Sequence, residues 1–301
     1  MIKPKALQKG DTIGIVAPSG LFDKKKFEKG IEFIKKIGFN PFWREDIFHA
    51  ERYMAGSDSR RVSELMDLFS NEEIKAIFCA RGGYGAGRIL PLLQKEKIVN
   101  HPKIFVGYSD ICFLLNFFVQ ECSMVCFHGP MVAGALARGL SPYEEEVFIR
   151  LLTSKEPLGE LNLDGIEVLR EGIGEGILIG GCLSIIISSM GTEYELETKG
   201  KILFLEDTNE PLYRLDRMLT QMRIAGKFDK IEGIIFGHIF DPKEEVLFKE
   251  MAKEIFTETK APVLYKVPAG HGNHGLVLPF GVKVRVDANE RKLFFLESAV
   301  S

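Results

Sequence analysis

Lys103-Ile104-Phe105-Val106-Gly107-Tyr108-Ser109-Asp110, followed by Ile111-Cys112-Phe113-Leu114-Leu115-Asn116-Phe117-Phe118-Val119, divides into two parts. The first is apolar, with β-branched and aromatic residues, and breaks at a glycine, which describes a short buried strand. The second is an apolar run too long for one strand and reads as a buried helix. Ser109 stands on the turn between them. A strand that breaks sharply into a helix lifts such a side chain out of the sheet and sets it at a helix N-terminus. There, free backbone N–H groups and the dipole favour developing negative charge. That is the design of a nucleophile elbow, although Ser is also a preferred N-cap anywhere, and local sequence leaves both readings open.

Outward from this stretch, strands and helices alternate. Thr12 to Ala17 is a buried strand closed by Pro18-Ser19-Gly20, and a helix runs from Lys24 to Ile37, stopped by Gly38. Asn40 to Trp43 is a short strand, Ser57 caps a helix through Leu68, and Ile74 to Ala80 is a strand followed by Arg81-Gly82-Gly83-Tyr84-Gly85-Ala86-Gly87. A further strand covers Met124 to Phe127, and Ser141-Pro142-Tyr143-Glu144 is a capping box opening a helix to Leu152. This alternation predicts a doubly wound, Rossmann-like parallel sheet, with Ser19, the glycine loop and Ser109 at the ligand-facing carboxyl ends of its strands. Residues 1–155 are assigned to this α/β domain and the glycine-rich 156–175 to a linker. Residues 176–301 are assigned to a second α/β domain with a small β-rich C-terminal part. In that half Gly176 to Met190 reads as half strand and half helix. Lys201 to Leu205 is a strand ending in Glu206-Asp207, and Tyr213 to Ile224 is a helix. Ile231 to Phe236, Lys243 to Phe256 and Pro262 to Val267 read as strand, helix and strand, and the chain from Leu276 alternates like antiparallel strands.

The 301 residues carry 39 basic and 42 acidic side chains, a net charge of −3, so composition implies no general attraction to nucleic acid or anionic membrane. Lys24-Lys25-Lys26 is a solvated helix face. Five cysteines, Cys79, Cys112, Cys122, Cys126 and Cys182, sit in apolar company without a Cys-x-x-Cys pair, which suggests reduced, buried thiols. The longest uncharged run, Gly176 to Thr192, is too short and too rich in Gly and Ser to span a bilayer, and no signal peptide is visible at Met1-Ile2-Lys3. A cytoplasmic protein without membrane or nucleic-acid partners is expected.

Three polar residues follow buried strands directly: Ser109, Glu206 and His271. A serine hydroxyl is a poor nucleophile until a base takes its proton, and an imidazole base needs a carboxylate to fix its tautomer. Ser, Glu and His in that order meet the requirement, but His238 also follows a strand and competes with His271 as base. His128 and His101 read as structural. The Gly83-x-Gly85-x-Gly87 spacing misses the dinucleotide fingerprint and lacks a P-loop lysine. His271-x-x-His274 could join Glu206 or Asp207 on a metal, but its glycine-rich loop is a poor frame for a closed zinc site; neither metal nor cofactor is expected. Asp207, Glu210, Arg214, Asp216 and Arg217 form a charge group of solvated or ion-paired character, one or two of which could hold substrate. Arg81 and Arg88 could pair with a substrate carboxylate.

Gly107-Tyr108-Ser109-Asp110, the Arg81 to Gly85 loop, Leu205-Glu206-Asp207 with Tyr213-Arg214-Leu215-Asp216-Arg217, and Gly270-His271 with Leu278-Pro279-Phe280-Gly281 together resemble the LD-carboxypeptidase family of serine peptidases, which includes the microcin C immunity proteins. Gly10-Asp11, Ala17-Pro18-Ser19, Met54 to Asp58 with Arg61, and His128-Gly129-Pro130-Met131 extend the resemblance over residues 10 to 287. It implies Ser109 as nucleophile, His271 as general base, Glu206 as its orienting carboxylate, and an oxyanion hole from the amides of Gly83 and Asp110. Arg81 and Gly82 would lie against a small peptide substrate. The implied reaction releases a terminal D-alanine from cytoplasmic muropeptide tetrapeptides in cell-wall recycling; hydrolysis of aminoacyl or peptidyl nucleotides and a non-turning-over ligand-binding role are the alternatives. A homodimer is implied. Cys182 departs from the family, which more often has Asn there.

Overall fold

The computed structural model describes residues 1–161, 163, 165–239, 244–272 and 275–301. The alternation in the first half produces β1 (Thr12–Val16), α1 (Lys24–Lys36), β2 (Asn40–Phe42), α2 (Asp58–Ser70) and β3 (Ile74–Cys79). Short helices α3 (Ala86–Ile89) and α4 (Lys95–Asn100) follow, then β4 (Ile104–Gly107), α5 (Cys112–Gln120), β5 (Cys126–His128) and α6 (Pro142–Thr153). Local chemistry accounts for the boundaries. Asp23, Ser57 and Ser141 each accept a backbone N–H in the first turn of their helices, and Ser141 and Glu144 complete the capping box. Phe27, Ile31 and Ile34 fall on one face of α1 and are buried, each contributing roughly 1.5–3 kcal/mol.

The second half supplies β6 (Gly159–Glu160), β7 (Glu167–Arg170), β8 (Ile173–Cys182), α7 (Leu183–Ser189), β9 (Lys201–Glu206) and α8 (Leu212–Ile224). It continues with β10 (Gly233–Phe236), α9 (Glu245–Ile255), β11 (Val263–Tyr265), β12 (Leu278–Phe280), β13 (Lys283–Asp287) and β14 (Lys292–Phe295). The expected start of α9 at Lys243 lies outside the described residues.

Among the described residues the strands form two sheets, ordered β2-β1-β3-β4-β5-β12 and β6-β14-β13-β8-β9-β10-β11-β7. β1 to β5 are mutually parallel, as the alternation requires, and helices cover their connections. In the second sheet β8 to β11 are parallel and the flanking pairs antiparallel. Two features differ from the pattern read in sequence. The 156–175 stretch, expected as a linker, contributes β6 and β7 to opposite edges of the second sheet; strands of two and four residues leave no periodicity to see. β12 pairs antiparallel with β5, so a segment from near the end of the chain finishes the first sheet. The halves also meet where α5 packs against β8 and α7.

Candidate active site

The chain turns sharply at Ser109, and Ser109 does not cap the helix that follows. Ser109 opens a 3₁₀ turn, Ser109–Ile111, that feeds α5, and it adopts φ +66°, a left-handed conformation costly for a residue with a Cβ. Tyr108 holds the position before the turn, and no side chain caps it. The sharp break needs Gly107, since a Cβ there would stand 2.8 Å from the Ile111 side chain and 3.1 Å from Cys79 Sγ. Gly82 brings the glycine loop against the elbow: a Cβ on it would lie 2.8 Å from Ser109 Cβ and 3.0 Å from its Oγ.

Asp110, buried, ties three chain segments together. Its Oδ2 accepts the Ser19 hydroxyl and, at 2.8 Å, the Ala86 N–H. Burial raises its pKa above the ordinary carboxyl value despite these bonds and the Gly85 amide. The carbonyl of Gly82 accepts the Gly20 N–H at 2.9 Å. Beneath the loop lies fully buried Arg61, whose Nη1 donates to the carbonyls of Pro18 (2.7 Å) and Gly85 (2.6 Å) while Nη2 pairs with Asp58. The loop is therefore fixed from below by a charge that the sequence marked only as part of the family resemblance, with no role assigned to it. An arginine four residues past a helix-capping Ser gives no warning that it points inward.

The second half supplies the acid and imidazole. Glu206, at the end of β9 beside its register partner Cys182, is fully buried. Its Oε2 accepts the His271 backbone N–H at 2.9 Å and lies 2.7 Å from His271 Nδ1. Burial opposes its ionisation, but His128 and His271 outweigh that and hold Glu206 at about 2. For His271, burial favours the neutral ring, yet the Glu206 bond and the Glu206 and Asp207 charges raise its pKa overall. The His271 ring stands edge-on to Tyr108, the residue before Ser109, with centroids 5.0 Å apart, so the loop carrying His271 meets the first half at the end of β4.

Other residues weighed in sequence fall differently. His238 is exposed and serves through its backbone, its N–H donating to Ala269 O and its carbonyl accepting the Asp207 N–H. Asp207 is not part of a solvated group: it is buried, and its Oδ2 accepts the Ser184 N–H at 2.7 Å at the start of α7. Arg214 pairs with Glu210, and Arg217 lies over the Tyr213 ring. Arg88 is occupied by Asp58, whereas exposed Arg81 donates to the Leu21 carbonyl. Cys182 offers its N–H to Cys112 Sγ at 3.3 Å, and its own Sγ lies 3.3 Å from Ser184 Oγ. The described cysteines are all buried free thiols. His274, the other half of the metal reading, lies outside the described residues. Among the described residues no cluster of His, Cys, Asp and Glu is placed to hold a metal, and no helix is long and apolar enough to cross a membrane.

Residues 13–129 match the model of the LD-carboxypeptidase N-terminal domain and residues 175–286 that of the C-terminal domain. The chain belongs to the LD-carboxypeptidase family. LD-carboxypeptidase relatives match nearly end to end. The probable murein peptide carboxypeptidase of Bacillus subtilis (strain 168) is 34% identical, over 99% of this chain and 95% of its own. The murein tetrapeptide carboxypeptidase of Pseudomonas aeruginosa is 30% identical over 92% of this chain and 93% of its own. The microcin C7 self-immunity protein MccF of Escherichia coli is 29% identical over 97% and 95%. A solved structure of the microcin C7 self-immunity protein in complex with aspartyl sulfamoyl adenosine superposes with a TM-score of 0.90 at 26% identity, covering all of both chains. The α/β fold with two sheets is thus the LD-carboxypeptidase fold.

Proposed function

We propose that this chain is a serine LD-carboxypeptidase that releases the terminal D-alanine from a muropeptide tetrapeptide, in the cytoplasm and as a homodimer. The observation that carries the reading is the Glu206–His271 pair standing across Tyr108 from a serine held at φ +66°. In this reaction Ser109 Oγ attacks the L–D carbonyl while His271 takes its proton through Nε2, Glu206 having oriented the ring through Nδ1. The oxyanion of the tetrahedral intermediate is received by the backbone N–H groups of Gly83 and Asp110, each such donor contributing about a hundredfold or more in rate. His271 then returns the proton to the departing D-alanine amine, and water, activated by the same imidazole, clears the acyl-enzyme. Arg81 and Gly82, at the mouth of the elbow, hold the peptide, with the Arg81 guanidinium suited to its terminal carboxylate. No step calls on a metal or cofactor.

The test is release of D-alanine from a muropeptide tetrapeptide by the wild-type chain and its loss in Ser109→Ala; full activity in that variant refutes the assignment. The likeness to MccF with an acyl nucleotide analogue bound supports a second reading, hydrolysis of aminoacyl or peptidyl nucleotides. Parallel assays on the tetrapeptide and on aspartyl sulfamoyl adenosine separate the two.

A further inference from the structure

His128 is the last residue of β5 and has 1% of its surface exposed. Its strand register is informative. It pairs with Gly107 on β4, two residues before Ser109, and with Leu278 on β12, the strand that follows the His271 loop. Its ring is packed among Tyr108, Phe204 and Phe280, with centroids 5.1–5.7 Å away. Phe204 belongs to β9, so this cage already spans both sheets.

Inside the cage two polar groups stand unsatisfied. Neither ring nitrogen of His128 has a hydrogen-bond partner among the described residues, and neither does Glu206 Oε1. His128 Nε2 and Glu206 Oε1 face each other at 3.8 Å. Buried polar atoms of native proteins are almost always paired, and a carboxylate oxygen is the costliest to leave bare. An approach of about 1 Å brings this pair into hydrogen-bond range, and among the described residues neither atom has another hydrogen-bond partner.

We propose that His128 is a positioning residue: its Nε2–H donates to Glu206 Oε1 when the two halves close, so that the carboxylate is gripped by an imidazole on each oxygen, His271 on Oε2 and His128 on Oε1. Because His128 rides on the sheet that carries Ser109, this bond sets the carboxylate, and through it His271, in register with the nucleophile. The proposal rests on the serine-hydrolase reading above for its consequence in rate, but not for the bond itself.

Two measurements test it on the full chain. Long-range proton–nitrogen spectra of the 15N-labelled protein, with His128 assigned from the resonances missing in His128→Gln, should find Nε2 protonated and its signal displaced by Glu206→Gln. A bare Nε2, or a signal indifferent to Glu206→Gln, overturns the bond whatever the substrate proves to be. In D-alanine release, His128→Phe, which fills the cage without a donor, should lower kcat roughly ten- to a hundredfold while KM stays within about twofold. His128→Gln, whose amide N–H falls near the imidazole Nε2, should recover most of the loss at an equal melting temperature. Wild-type kcat in His128→Phe, or a Gln variant no better than Phe, overturns the positioning role. Failure of the wild type on every acyl substrate would count against the functional reading alone, since the spectra still decide the bond.

Discussion

His271 meets Glu206 twice at one oxygen: the backbone N–H donates to Oε2 at 2.9 Å and the ring Nδ1 lies 2.7 Å from the same atom. The main-chain contact fixes where the residue is, and the side-chain contact, made through Nδ1, fixes which way its ring faces. Because the Glu206 contact and charge lift the His271 pKa above its ordinary 6.5 despite burial, the acidic limb of kcat/KM should lie above pH 6.5. A general base works only when neutral, so activity rises as pH passes through that raised value. Glu206→Gln should lower the plateau and move the limb to lower pH; a limb left in place would contradict the coupling.

The same pair shapes stability. Glu206 is held at about 2, so its contribution is full above the unfolded carboxyl value near 4.5 and disappears as pH falls through about 2. His271 is shifted upward, so its contribution is full below about 6.5 and fades as pH rises through its folded value. The difference in melting temperature between wild type and Glu206→Gln should therefore be largest between about pH 4.5 and 6.5 and shrink on both sides. A pH-independent difference would show that the stabilisation is not electrostatic.

Ser109→Gly should abolish turnover yet raise the unfolding free energy by about 1 kcal/mol, because glycine occupies φ +66° without a Cβ penalty. Urea denaturation reads it directly, and an unchanged or lower midpoint would mean the serine carries no backbone strain.

Gly82→Ala should keep the fold and lose activity about a hundredfold or more, since the new methyl would sit 2.8 Å from Ser109 Cβ and must displace Ser109 or the loop. Circular dichroism with kcat/KM checks both halves of the statement. Wild-type kcat/KM would show that the loop and elbow are not held at this separation.

Arg61→Met should cost about 3–5 kcal/mol, because Asp58 and the carbonyls of Pro18 and Gly85 lose their buried partner. Arg61→Lys should recover little of it, a single ammonium being unable to span both carbonyls and the carboxylate. A lysine variant with the wild-type urea midpoint would refute this.

The elbow was legible because apolar strand, hydroxyl and apolar helix abut within one short stretch, and Glu206 because it ends the clearest strand of the second half. His271 was separable from His238 only through resemblance. Both follow strands, and only the path of the chain turns His271 toward Glu206 while His238 faces solvent and lends its backbone. His128 read as a core histidine, and burial bears that out, but that its strand ends opposite Glu206 depends on how two sheets meet. The burial of Arg61 and Asp207 was hidden for a related reason, charged residues being drawn outward by default. The short strands β6 and β7 lie where sequence suggested only a connection, because so few residues cannot display a period. β12 was invisible as a member of the first sheet, since an antiparallel edge strand from a distant segment leaves no mark on the residues it joins.

That edge strand has a bearing on biogenesis. β5 finds its outer neighbour only when residues 278–280 have been made, some 150 positions after it in the chain. On the ribosome, therefore, the first sheet waits with an open border through about half of synthesis, and a fragment ending after α6 would expose that border to any passing strand. Severing the chain between the halves should give an N-terminal piece that self-associates until a peptide carrying Leu278–Phe280 is supplied.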